Sequence, residues 1–208
     1  MKTTNFFIDY LVIGVILFAG LFYPMQTINP KCLEFIANYS MKDKPYILPL
    51  ITVFVYISGI MFNQISDVFL SKTRKLFGLG KIYKEEMKLD KIVEGGYHAA
   101  LQRVIFTSQS AYSFLSFRRS TIRIFRALFV VLLMLIVYFI LIIVLNALNI
   151  SLNGQHNNSL LIIFLALLSF VRYRMIKLQI GYYKAIENFY TNSVEINCLD
   201  FNNIKNNQ

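Results

Sequence analysis

Long apolar stretches dominate the chain. Ile47 to Phe62, Ala127 to Ile150 and Leu160 to Val171 contain no ionised side chain, and Tyr10 to Met25 is equally clean. About 20 apolar residues at 1.5 Å rise cross the ~30 Å hydrocarbon layer. The pattern therefore predicts an all-α polytopic membrane protein with four transmembrane helices near 7–25, 46–65, 127–149 and 158–175. The fourth has the shortest fully apolar stretch and relies on Arg172 and Arg174 snorkelling to the headgroups. The third, apolar on all sides, is the expected lipid-facing helix.

Between the second and third spans the periodicity changes. Residues 66–126 are too long for a plain loop. Ile82, Leu89 and Val93 share a helical face within 81–94, interrupted by Glu86. After Gly95-Gly96, a break signal, Tyr97, Leu101, Val104, Tyr112 and Leu115 form a second periodic run. Two helices are expected, their apolar faces packing against each other or a neighbouring subunit, or lying on the membrane surface. From Arg172 a helix-compatible run, Met175 to Asn192, leads into the Asn-rich 197–208, expected to be disordered. The expected organisation is a first transmembrane hairpin (1–65), a basic helical cytoplasmic segment (66–126), a second hairpin (127–175) and a cytoplasmic tail (176–208).

Composition agrees: 56% of the 208 residues are hydrophobic and 15% charged, against about 25% charged in soluble domains. The formal net charge of +10 serves first as a topological signal. Eighteen Lys and Arg fall in the N-terminus, 66–126 and the tail, and three in 26–45. Because cytoplasmic segments hold the basic excess, both termini and 66–126 are expected inside a cell inner membrane, with 26–45 and 150–157 outside. Asp9 interrupts the first apolar region and no A-x-A-like site precedes Pro24, so that segment reads as a retained span. Cys32 and Cys198 then lie on opposite sides, as do His98 and His156. Neither pair can form a disulfide, a metal site or a catalytic dyad within one chain. No Ser-His-Asp set, H-E-x-x-H, Walker A or G-x-G-x-x-G is present, and Gly78-Leu79-Gly80 lacks the following Gly and a preceding strand. Neither an enzyme nor a cofactor is expected.

Two constellations stand out. Thr52, Tyr56, Gly59, Asn63 and Asp67 fall at intervals of four, three, four and four on one face of the second span. Polar groups in hydrocarbon need a partner or water. The stripe either lines a pore formed by several chains or makes interhelical hydrogen bonds, with Gly59 permitting close approach. At the expected cytoplasmic edge lie Asp9, Asp67 and the run Arg118, Arg119, Arg123 and Arg126. These arginines either anchor the spans and pair with Asp67 or Asp9, or form a gate or a site for an anionic ligand such as a lipid headgroup, nucleotide or oligonucleotide.

The sequence Gly59-Ile-Met-Phe-Asn63-Gln-Ile-Ser-Asp67 leaving one span, with Phe117-Arg-Arg-Ser-Thr-Ile-Arg123-Ile entering the next, resembles small four-span membrane proteins of bacterial anti-phage systems. The nearest are the Hailong-type membrane effector and, second, the Kiwa-type membrane subunit. The first resemblance implies a homo-oligomeric, tetrameric channel, held shut by oligonucleotides from a partner nucleotidyltransferase, whose opening depolarises the infected cell. The second implies a membrane scaffold that recruits a DNA-binding cytoplasmic partner. The residues themselves leave two roles open: a homo-oligomeric channel or pore-type effector, and a membrane anchor or adaptor for a soluble cytoplasmic protein.

The charge asymmetry makes a direct prediction. Cys32 should react with an impermeant thiol reagent from outside intact cells, and Cys198 only after permeabilisation; labelling of both from one side would overturn the span count.

Overall fold

The computed structural model describes residues 2–28, 47–73, 77–92, 96–148 and 158–205. Six helices, with no strand among the described residues, follow in the order α1 (Lys2–Ile28), α2 (Ile47–Lys72), α3 (Gly80–Ile92), α4 (Gly96–Thr107), α5 (Gln109–Ala147) and α6 (Asn158–Lys205). Two helical stretches are long and apolar enough to cross a membrane, Leu48–Lys72 and Gln109–Leu145, and α1 carries a shorter apolar stretch, Phe7–Phe22. Most of the expected external segments, together with Cys32, Val93 and His156, lie outside the described residues.

The chain divides into two compact units. The first comprises Met1–Ser71 and Arg123–Arg174, the second Lys72–Ile122 and Met175–Gln208. In the first unit α5 supplies most of the core: Ala127, Phe129, Leu132, Phe139 and Ile142 are buried, with Ile13 of α1 and Phe62 of α2. The third span, expected to face lipid, is packed on one side only: Met134, Val137, Ile140, Leu141 and Val144 on its other side are exposed. An all-round apolar sequence gives a helix no preferred direction, so it suits the middle of a bundle as well as its periphery. Of the two long apolar helices α2 is the more outward, with Leu50, Phe54, Ile57, Met61 and Ile65 exposed.

Contact between α1 and α2 depends on two glycines. A Cβ at Gly59 would run into the Tyr10 carbonyl oxygen and lie 2.9 Å from the Gly14 nitrogen, and one at Gly14 would run into the Val55 carbonyl. Small residues let backbones approach closely where lipid supplies no hydrophobic drive to associate. Aromatic pairs flank the crossing, Phe7 with Tyr56 at 4.8 Å and Phe18 with Phe54 at 5.7 Å between ring centroids.

The second unit has its own core of Leu89, Ala100, Val104, Ala111, Leu115, Ile122, Tyr182 and Ile186. The apolar faces read from the sequence are spent here, against each other and against α6. Asp90 turns α3 into α4: its Oδ1 accepts the Tyr97 backbone N–H at 2.9 Å. Gly96 takes φ 72°, and a Cβ there would lie 2.9 Å from that same oxygen, so only glycine satisfies both demands. The second periodic run is not one helix. It breaks at Ser108, whose Oγ accepts the Ala111 N–H at 3.3 Å as an N-cap. The helix of the third span therefore starts at Gln109 rather than near 127.

The tail also departs from expectation. One helix runs from the fourth apolar stretch to Lys205 instead of ending near Asn192, and no proline or glycine follows Gly181 to stop it. Tyr182 and Ile186, one turn apart, join this helix to the core, and Glu187 accepts a hydrogen bond from Lys88 of α3 at 2.9 Å. That bond raises the Lys88 pKa above its ordinary value.

Tyr97 gives the unit a pH dependence. Its Oη lies 3.1 Å from that of Tyr182, and its ring packs edge-on to Tyr183 at 5.5 Å. Burial pushes its phenol well above the ordinary range; Tyr182 and Tyr183 push the same way and Arg119 opposes them. A group whose pKa is raised on folding contributes its stability in full below the unfolded pKa, about 10 for tyrosine, and loses it as pH rises beyond. Circular dichroism of the detergent-solubilised chain should show helix loss beginning above pH ~10. Tyr97→Phe should move that transition upward while costing about 1 kcal/mol near neutrality; an unmoved transition would place the titration elsewhere.

Candidate functional site

The second-span stripe faces the interior of its own unit. Thr52 Oγ1 donates to the Leu48 carbonyl of its own helix at 2.9 Å, so its hydroxyl is satisfied without a partner helix. The Tyr56 ring lies against Phe7 and edge-on to Tyr10 at 6.1 Å. Gly59 sits on the Tyr10 backbone, Asn63 is buried, and Asp67 pairs with Arg126. Gly59 thus serves the close approach that was one of its two expected roles.

Beside the stripe lies a serine that the sequence reading missed. Ser66, fully buried, is three residues from Asn63 and seven from Gly59, within the same arc of the helix. A small hydroxyl at that spacing was the available signal. Among the described residues Asn63 Oδ1 and Ser66 Oγ have no hydrogen-bond partner. An unsatisfied buried polar atom costs about 1–3 kcal/mol, so this pair is a polar site of the first unit whose demand nothing described meets.

Two ion pairs join the neighbouring helices to α5. Arg123 Nη1 lies 3.6 Å from Asp9 Oδ2, with only 12% and 9% of the two side chains exposed, and the guanidinium sits 5.9 Å from the Tyr10 ring centroid. Arg126 donates directly to Asp67, a pair more open to solvent. Of the four arginines expected to pair with Asp67 or Asp9, Arg123 meets Asp9 and Arg126, about one turn further along, meets Asp67.

The arginine run does not form one cluster. Arg123 and Arg126 belong to the first unit, Arg118 and Arg119 to the second. Arg118 stacks over Phe114 at 4.7 Å, in space kept open by Gly181, where a Cβ would lie 2.7 Å from Arg118 Nη1. Arg119 is exposed and acts on the Tyr97 phenol. Among the described residues no group of three or more His, Cys, Asp or Glu is placed to hold a metal ion. No family model matches the chain, and no curated protein or solved structure is significantly similar to it.

The two ion pairs should differ in energetic weight. Asp9→Asn leaves Arg123 with its charge buried and should cost about 3–5 kcal/mol in thermal unfolding of the detergent-solubilised chain. The more exposed Asp67→Asn should cost about 1 kcal/mol or less. Asp9→Asn with Arg123→Gln should recover most of the loss, a coupling that a double-mutant cycle isolates; equal costs for the two aspartates would contradict the assigned burial.

Proposed function

We propose that the chain is a four-span inner-membrane anchor or adaptor, with both termini cytoplasmic, whose second unit binds a soluble partner. The inward direction of the polar residues in the first unit carries this reading. Gly59 and Tyr56 are occupied by α1, Asp9 and Asp67 by α5, and the surface that α2 turns outward is apolar. A unit that spends its polar groups on its own packing and offers hydrocarbon to its surroundings suits anchoring. The spans left to add are the shorter apolar stretches of α1 and of 160–171, and the distribution of lysine and arginine supports an even number of crossings with the second unit inside. That unit, with its separate core and exposed basic residues, is the part suited to a cytoplasmic partner.

A second role, a homo-oligomeric channel gated by an anionic ligand, draws support from Asn63 and Ser66. Two buried polar oxygens without partners are groups that a hydrated path would supply with water. The resemblance of 59–67 and 117–124 to anti-phage membrane proteins links either role to antiviral defence and favours a tetramer for the channel.

Planar-bilayer recording of the purified chain separates the two. An anchor should leave conductance at the protein-free level. Discrete conductance steps that shrink in Asn63→Leu would overturn the anchor and establish Asn63 as part of a conducting path.

A further inference from the structure

Four lysines occupy one side of α3. Lys81, Lys84, Lys88 and Lys91 follow at intervals of three, four and three; at 3.6 residues per turn they fall within an arc of about 80° and a length of about 15 Å. All four are exposed, whereas Ile82 and Leu89 of the same helix are buried in the core of the second unit. That burial fixes the roll of α3 and holds the lysines outward. Lys88 is shared with Glu187, but among the described residues Lys81, Lys84 and Lys91 form no ion pair. Asp90, which accepts the Tyr97 N–H, and Glu86 lie on the far side of the helix, while Glu85, half-buried, borders the arc four residues from Lys81 and acts on Lys88.

Met87 borders the lysines, three residues from Lys84 and four from Lys91, and is 40% exposed. We infer that this face of α3 docks on an anionic lipid surface, with the ammonium groups among the headgroups and Met87 at the edge of the acyl region. Cations beside an exposed apolar side chain match the layered chemistry of a bilayer surface, where flexible lysine stems keep their charge in the polar layer while apolar groups descend. A nucleic acid would be gripped by arginine forks and by aromatic rings stacking on bases, and the arc holds neither residue type. Only seven residues separate Lys72 at the end of α2 from Gly80 at the start of α3, a tether of at most about 28 Å. The inference rests on the membrane placement proposed above.

The test uses the full chain carrying Cys32→Ser, Cys198→Ser and Met87→Cys, the new thiol labelled with an environment-sensitive fluorophore. The protein is reconstituted in nanodiscs of phosphatidylcholine alone, or with about one-third phosphatidylserine to give an anionic surface. With phosphatidylserine the emission should shift to the blue and be quenched by spin-labelled acyl chains, and about 0.5 M salt should reverse both effects. Lys81→Gln, Lys84→Gln and Lys91→Gln should each lower the bilayer-apposed population about fivefold, with helicity unchanged, and the corresponding Lys→Arg variants should retain it. Water-like emission in both lipid mixtures, with the chain incorporated, would overturn the inference alone. A shift produced by an added single-stranded oligonucleotide and not by phosphatidylserine would overturn it in favour of nucleic acid. Failure of the chain to enter nanodiscs would overturn the membrane placement and the inference with it.

Discussion

A charge placed beside hydrocarbon has to be neutralised where it stands, and the Asp9–Arg123 pair is where this chain meets that constraint most severely. Both side chains are almost wholly buried, and their separation of 3.6 Å is that of an ion pair rather than a tight hydrogen bond. Removing either residue would leave the other charge buried, at a cost of about 3–5 kcal/mol. Together, with the Tyr10 ring near the guanidinium, they attach α1 to α5. Once Arg123 is committed, Arg126 is left for Asp67, which attaches α2 to the same helix. The glycine crossing of α1 and α2 completes a set of three helices held pairwise by different means: charge at two contacts, backbone proximity at the third.

This arrangement packs one side of a helix that has no polar face, while Met134, Val137, Leu141 and Val144 on its other side stay exposed. The part of α5 beyond Arg126 has no directional signal, but the two arginines at the start of its apolar stretch select which helices gather around it. Packing then follows from shape, with Gly20 of α1 giving space to the Val131 side chain and Phe139 of α5 meeting Phe164 of α6 at 5.5 Å. In a membrane such van der Waals fit is a main source of association, because lipid chains are as apolar as the side chains they replace.

How much of this was legible in the sequence varies with the physics at each position. Helical content and apolar stretches were readable because their length exceeds what a soluble loop carries, and the α3–α4 division because Gly95-Gly96 marks it. The break at Ser108 was not, since serine sits equally well inside a helix; only the Ala111 N–H reaching its hydroxyl makes it a cap. Which side of α5 packs was hidden by its uniformity. The partner of Asp67 stayed open because Arg119, Arg123 and Arg126 share one face, and the choice depended on Asp9, nearly sixty residues away in sequence. The extent of α6 was obscured by an asparagine-rich composition that favours coil, although Tyr182 and Ile186 carried the one-turn spacing of a packed face. Of the candidate site, the stripe was visible but its direction, toward a pore or a neighbouring helix, was open, and Ser66 and the consumption of Arg123 and Arg126 depended on tertiary structure.

The two basic residue types divide according to their chemistry. Arg103 lies over Tyr190, Arg118 over Phe114 and Arg123 near Tyr10, while Arg126 is bonded to Asp67. A planar, weakly hydrated guanidinium tolerates partial burial against rings and carboxylates, and its charge cannot be titrated away. Lysine is more strongly hydrated and resists such placement, so it collects on the solvent side of α3, where Lys81, Lys84 and Lys91 remain exposed. Arg119, Arg172 and Arg174, all exposed, and Lys88, bonded to Glu187 of α6, depart from this division; Arg172 and Arg174 follow the short apolar stretch of α6, where long cationic side chains extend toward polar surroundings. The basic excess therefore has two physical functions. Arginine holds helices together, and lysine supplies the charge that remains available to something outside the chain.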